Sequence, residues 1–157
     1  MSDKLDVADL AILDILTRDG RASISTIAHQ VGLSRPTVAE RIERMEASGV
    51  LRGITAAVDP VAIGREITAF IFAHSSASDA SMKRMFRSLA DQGDVLEIHT
   101  VAGEDCYVMK VRTDSIASLN TLVSSLQSPP FSLTTRTTIV LETQFEKVGG
   151  ISIQDPA

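Results

Sequence analysis

Between Ser23 and Gly53 the chain carries two short helical segments joined through a single glycine, and few folds accommodate that spacing. Ser23 is a natural N-cap for a helix whose Ile24, Ile27, Ala28 and Val31 fall on one face at helical spacing. Gly32 follows where a left-handed C-terminal cap is wanted, because glycine enters positive φ without a Cβ clash. Leu33 then plugs the corner and Ser34 caps the next helix, with Pro36 in a first turn that has no use for its missing N–H. Val38, Ile42 and Met45 form the apolar face of that second helix, and Thr37, Glu40 and Arg44 its wet face, with Arg35 at the exposed N-terminal end and Arg41 on the flank. Two capped helices around a glycine turn, the second bearing arginines outward, predict a helix-turn-helix whose second helix enters a DNA major groove. The bland alternative is a helical hairpin with a solvated charged face.

A helix-turn-helix needs a third helix to bury its inner faces. The segment LDVADLAILDILTRDGR supplies one: Asp6 is the N-cap, Asp9 lies three residues on, and Leu10, Leu13 and Leu16, with Ile12 beside them, form the core stripe before Asp19 and Gly20 end it. After Gly49, residues 50–58 read as extended, either a small wing or a strand leading out of the domain. Asp59-Pro60 breaks the chain there. The expected division is a DNA-binding domain over 1–53, a linker strand over 54–64, a second domain over 65–148 and a mobile tail over 149–157.

The second domain has a different rhythm. Glu66 to His74 is β-rich, and Ser78 to Gln92 places Met82, Met85, Phe86 and Leu89 at helical spacing. Val95 to Val101 and Cys106 to Arg112 read as strands around a hairpin-like turn. Ile116 to Leu126 is helical and Leu133 to Phe145 a last long strand. The fold class is α+β, and the order βαββαβ predicts a ferredoxin-like sheet with helices on one face. Phe70, Phe72, Val108 and Ile139 cannot all point at two helices, so a second subunit is expected to cover the other face.

The chain has a formal net charge of −5, which at first argues against nucleic acid. Distribution matters more than the sum: from Arg21 to Arg52 there are five arginines against Glu40, Glu43 and Glu46, a local balance of 5 − 3 = +2. Such modest attraction per subunit calls for several copies on one DNA. There is no Trp, and all five Phe lie outside the helix-turn-helix, which argues against base-stacking platforms for single strands. No run approaches membrane-spanning length, the polar start MSDKLD is no targeting segment, and the one cysteine, Cys106, suits a reducing compartment; the expected location is cytoplasmic.

The succession LDVADLAILDIL, DGRASISTIAHQVGLSRPTVAERIERMEASGVLRG, VDPVAIG, VAGEDCYVMKV and TTRTTIVLE resembles the Lrp/AsnC, or feast/famine, transcriptional regulators over nearly the whole chain. The resemblance implies a winged or plain helix-turn-helix domain and a RAM-type βαββαβ domain. It implies double-stranded DNA as partner, homodimers assembling further, often to octamers, and a small effector, usually an amino acid, bound between dimers. Carried over by position, Ser34, Arg35, Thr37, Arg41 and Arg44 would meet DNA, with Arg41 and Arg44 alternatively paired to nearby Glu residues. The effector would sit at the turn formed by Val101, Ala102, Gly103, Glu104, Asp105 and Cys106, where Gly103 allows close backbone approach and Glu104 or Asp105 can take an ammonium group. The common family pattern has Asp where Cys106 stands.

His29, His74 and His99 make no metal spacing with one another or with Cys106, so no metal and no cofactor are expected. His99 and Cys106 could face each other across the hairpin, but a strand cysteine is ordinarily a small hydrophobe, and no enzymatic activity is expected. The sequence therefore points to a ligand-responsive DNA-binding regulator, with an architectural DNA-wrapping protein lacking an effector as the alternative.

Overall fold

A computed structural model of the chain describes residues 4–75 and 79–146, the side chains of residues 79 and 80 excepted. The expected tail over 149–157 lies outside the described residues. The chain divides into two compact units, the second of them Val58–Gln144.

In the first unit, α1 (Val7–Arg18), α2 (Ile24–Val31) and α3 (Arg35–Ala47) follow from their caps. Asp6 and Asp9 form a reciprocal capping box: the Asp9 N–H donates to the Asp6 carboxylate at 2.8 Å, and the Asp6 N–H to that of Asp9 at 3.1 Å. Ser23 and Ser34 cap α2 and α3, and Gly32 takes φ 67°, ψ 28° between them. The three inner faces bury Ile12, Leu13, Leu16, Ile27, Ala28, Val38 and Met45. Leu33 and Ile42 pack against that cluster half-buried. Two details depart from the sequence reading. Ile12, expected beside the stripe, is fully buried while Leu10 is only half-buried. Ile24 remains 42% exposed, because it opens α2 and the packed stripe begins one turn later at Ile27.

No wing forms. Residues 50–66 contain no strand, since an extended segment with no neighbour to pair with satisfies its backbone in solvent, and Val50, Ile54 and Val58 are exposed.

The second unit runs β1 (Ile67–His74), α4 (Asp79–Ala90), β2 (Val95–Thr100), β3 (Tyr107–Thr113), α5 (Ile116–Gln127) and β4 (Thr134–Ile139). This is the expected βαββαβ order, and the sheet is antiparallel throughout with strand order β2-β3-β1-β4. Because strand side chains alternate, Ala69, Ile71, Ala73, Met109 and Val111 enter one core with Met82, Met85 and Leu89 of α4 and Leu119, Leu122 and Leu126 of α5. The opposite face carries Phe70, Phe72 and Val108, as the sequence predicts. Phe72 stands opposite Val108 on one side and Arg136 on the other.

Ile139 corrects that expectation: it stands opposite Ala69, on the helix-bearing face, and is 41% exposed at the edge strand. The last strand is also shorter than Leu133 to Phe145. The Val140 N–H still bonds the Thr68 carbonyl at 2.9 Å, but β1 begins at Ile67 and offers nothing further to pair with. Leu141 and Phe145 are accordingly 99% and 82% exposed.

Candidate nucleic-acid interface and effector turn

The N-terminal end of α3 presents Ser34 and Arg35 to solvent, with Thr37 half-buried behind them. Ser34 works locally as the cap: its Oγ accepts the Thr37 N–H at 3.3 Å and lies 2.7 Å from Thr37 Oγ1. Fixing both hydroxyls leaves the first turn rigid, which is what a surface docking against DNA requires. Among the described residues Arg35 has no ion-pair partner, and its guanidinium extends from the positive end of the helix dipole.

Arg41 and Arg44 are placed differently. Their partners are the carboxylates at the start of α1, not the Glu residues nearby in sequence. Arg41 Nη1 lies 2.7 Å from both Asp6 Oδ2 and Asp9 Oδ1. Arg44 Nη2 reaches both oxygens of Asp9, at 2.9 and 2.8 Å. Asp9 is only 1% exposed, and its carboxylate also accepts the Asp6 N–H, so both its oxygens are engaged. The Asp9 N–H, then the Arg41 guanidinium, hold the Asp6 carboxyl below its ordinary pKa, while the Asp6 and Asp9 hydrogen bonds raise that of Arg41. Asp9 is the shared partner of both arginines that sequence reading missed. It was legible as a cap, but nothing in a single sequence joins it to positions 32 and 35 residues away.

The second candidate site is the turn between β2 and β3. Val101 N–H donates to the Cys106 carbonyl at 3.0 Å, closing a loop in which Ala102, Gly103 and Glu104 are exposed. Gly103 takes φ 145°, and no atom would lie within 4 Å of an added Cβ, so its surface is open to an approaching ligand. Asp105 is engaged: Arg136 Nη2 lies 2.8 Å from its carboxylate while the same guanidinium sits 4.3 Å over the Phe72 ring. Cys106 Sγ is 3.1 Å from Nδ1 of His74 at the end of β1. His99, expected opposite Cys106, instead stands opposite Val108 and is 3.1 Å from Glu97.

Among the described residues no three His, Cys, Asp or Glu side chains converge as metal ligands, and no helix is long and apolar enough to cross a membrane.

Comparison with known proteins assigns both units. Residues 5–46 match the AsnC-type helix-turn-helix domain and residues 68–148 the Lrp/AsnC ligand binding domain. The chain is 34% identical over 142 residues to the HTH-type transcriptional regulator FL11 of Pyrococcus horikoshii, covering 90% of this chain and 93% of that protein. It is 33% identical over 147 residues to the HTH-type transcriptional regulator LrpA of Mycobacterium tuberculosis, covering 91% and 94%. Among solved structures, a feast or famine regulatory protein from M. tuberculosis complexed with L-methionine matches with a TM-score of 0.84 and 31% identity, over 96% of this chain and 100% of that one.

Proposed function

The chain belongs to the Lrp/AsnC family of transcriptional regulators, and on that premise we propose that it binds operator DNA as a homo-oligomer and responds to an amino-acid effector. The observation that carries the DNA-binding half is the start of α3: a rigid first turn with Ser34 and Arg35 exposed and Thr37 fixed beside them. Ser34 and Thr37 meet phosphate or a base edge, and Arg35 reads guanine or holds phosphate. Arg41 and Arg44 join the interface only so far as Asp9 releases them.

Subunits pair through the open sheet face that carries Phe70, Phe72 and Val108, and the dimers assemble further, to an octamer. Pairing places two recognition helices at a spacing fixed by the dimer. We take the protein to act in the cytoplasm and assign it no enzymatic reaction.

The effector binds at Val101–Cys106, where exposed Gly103 and the neighbouring backbone can take a carboxylate and Glu104 or Asp105 an ammonium group. The L-methionine complex of the M. tuberculosis relative supports an amino acid as the ligand class. An architectural protein without effector is the second reading. It is favoured by the Arg136 guanidinium that already occupies Asp105, and by Cys106 standing where the family commonly has Asp.

A thermal-shift screen of the whole chain against the amino acids separates the two, because a ligand that binds only the folded state raises the midpoint. A hit abolished by Gly103→Trp is expected for the sensor. No hit from any amino acid, with duplex DNA still bound, overturns the effector half and leaves the architectural protein.

A further inference from the structure

The buried carboxylate of Asp9 ties the cap of α1 to two arginines of the recognition helix. We propose that Asp9 is a specificity-determining positioning residue, which withholds Arg41 and Arg44 from DNA phosphates so that binding rests on the base-reading end of α3. The proposal rests on the DNA-binding reading above. Its physical basis is competition: carboxylate and phosphate seek the same guanidinium N–H groups, and Asp9 holds them at 2.7, 2.9 and 2.8 Å. Asp9 is 1% exposed, so an arginine that leaves for a phosphate strips a desolvated charge of its partner. Arg41, with its side chain 21% exposed and a second carboxylate in Asp6, is the more tightly held; Arg44, 46% exposed, is the one closer to release.

The charge balance gives the consequence. Residues 21 to 52 carry five arginines against three glutamates, and with Arg41 and Arg44 neutralised on Asp6 and Asp9 the remainder is 3 − 3 = 0. Attraction to arbitrary phosphates is then small, and discrimination is left to Ser34, Arg35 and Thr37. A residue that only buttressed the fold would stabilise α3 without changing how affinity depends on salt.

That difference sets the experiment. Affinity of the full chain is measured against salt for a random-sequence duplex and for a duplex selected by the wild-type chain from a random pool. Asp9→Asn keeps an oxygen for the Asp6 N–H but gives up the charge. It is expected to steepen the slope of log K against log salt on random duplex by about 1 to 2, at about 0.9 per released arginine. Preference for the selected duplex should fall at least threefold. Arg44→Gln in the wild-type background leaves Asp9 paired with Arg41, and is expected to leave the slope unchanged. In the Asp9→Asn background it should lower the slope again by about 0.9. A slope unmoved in Asp9→Asn, or one that drops by about 0.9 in Arg44→Gln alone, overturns the proposal while DNA binding stands. A wild-type chain with no salt-dependent affinity for either duplex overturns the DNA-binding reading and this proposal with it. Should Asp9→Asn not fold, Asp9→Ser, smaller and equally uncharged, carries the same slope measurement and the same expected steepening.

Discussion

Arg136 on β4 reaches over Phe72 of β1 and closes on Asp105 ahead of β3, with 2.8 Å between guanidinium and carboxylate. The contact joins the proposed effector turn to the open face of the sheet. Its intrinsic worth is small: an exposed ion pair and an exposed cation–π contact each contribute up to about 1 kcal/mol. Its importance is competitive, because a ligand ammonium reaching Asp105 must displace Arg136. Arg136→Gln should therefore tighten amino-acid binding about fivefold, the equivalent of about 1 kcal/mol, as read by calorimetric titration. Weaker binding would show that Arg136 holds the ligand carboxylate and that Asp105 does not take the ammonium.

Why some of this was legible in the sequence and some not is a matter of range. Ser23, Gly32, Ser34 and Pro36 act on their immediate neighbours, and they placed both ends of α2 and the start of α3. Helix and strand periodicities gave the βαββαβ order for the same reason. What failed needed knowledge of a distant partner. The hairpin brings His99 and Cys106 close in the chain, whereas β1 enters on the other side of β3 and supplies His74 as the neighbour of Cys106. Arg41 and Arg44 have glutamates nearby in the chain, but they fold onto Asp6 and Asp9. The Thr-rich β4 has no apolar alternation to set its register, so the face of Ile139 could be settled only by its pairing with Ala69.

Phe70 lies half-buried on the open face, between Lys110 of β3 and Thr138 of β4. If that face is the subunit contact, a charge there must be desolvated on association, and an ion pair with the neighbouring Lys110 offsets only part of that cost. Phe70→Glu should shift the assembly toward monomer in sedimentation, with the helix and sheet signal retained because the side chain does not enter the core. An unchanged mass would place the subunit contact elsewhere.

Gly32 joins α2 to the corner before α3 at φ 67°, and an added Cβ would meet no atom within 4 Å. The cost of Gly32→Ala is thus backbone strain alone, about 1 kcal/mol, and Gly32→Asn should cost less because Asn tolerates the left-handed region. Denaturant unfolding measures both. Equal losses for the two variants would mean that side-chain contact and not backbone conformation sets the preference for glycine.

Acid should loosen the α1 cap. The Asp6 carboxyl is held below its ordinary value, first by the Asp9 N–H and then by Arg41, so its charged form is favoured in the folded chain. A depressed pKa means stability that is fully present above the unfolded value of about 3.9 and is lost as pH falls through the lower, folded value. Ser118 and Ser115 depress Asp114 in the same way at the start of α5, so the second unit softens in the same window. Thermal melts between about pH 5 and pH 2 should show the wild-type midpoint falling below about 4, and Asp6→Asn should shrink that fall while lowering the midpoint at pH 7. An acid limb as steep in Asp6→Asn as in the wild type would assign the proton uptake to other carboxylates and leave the α1 cap without a part in it.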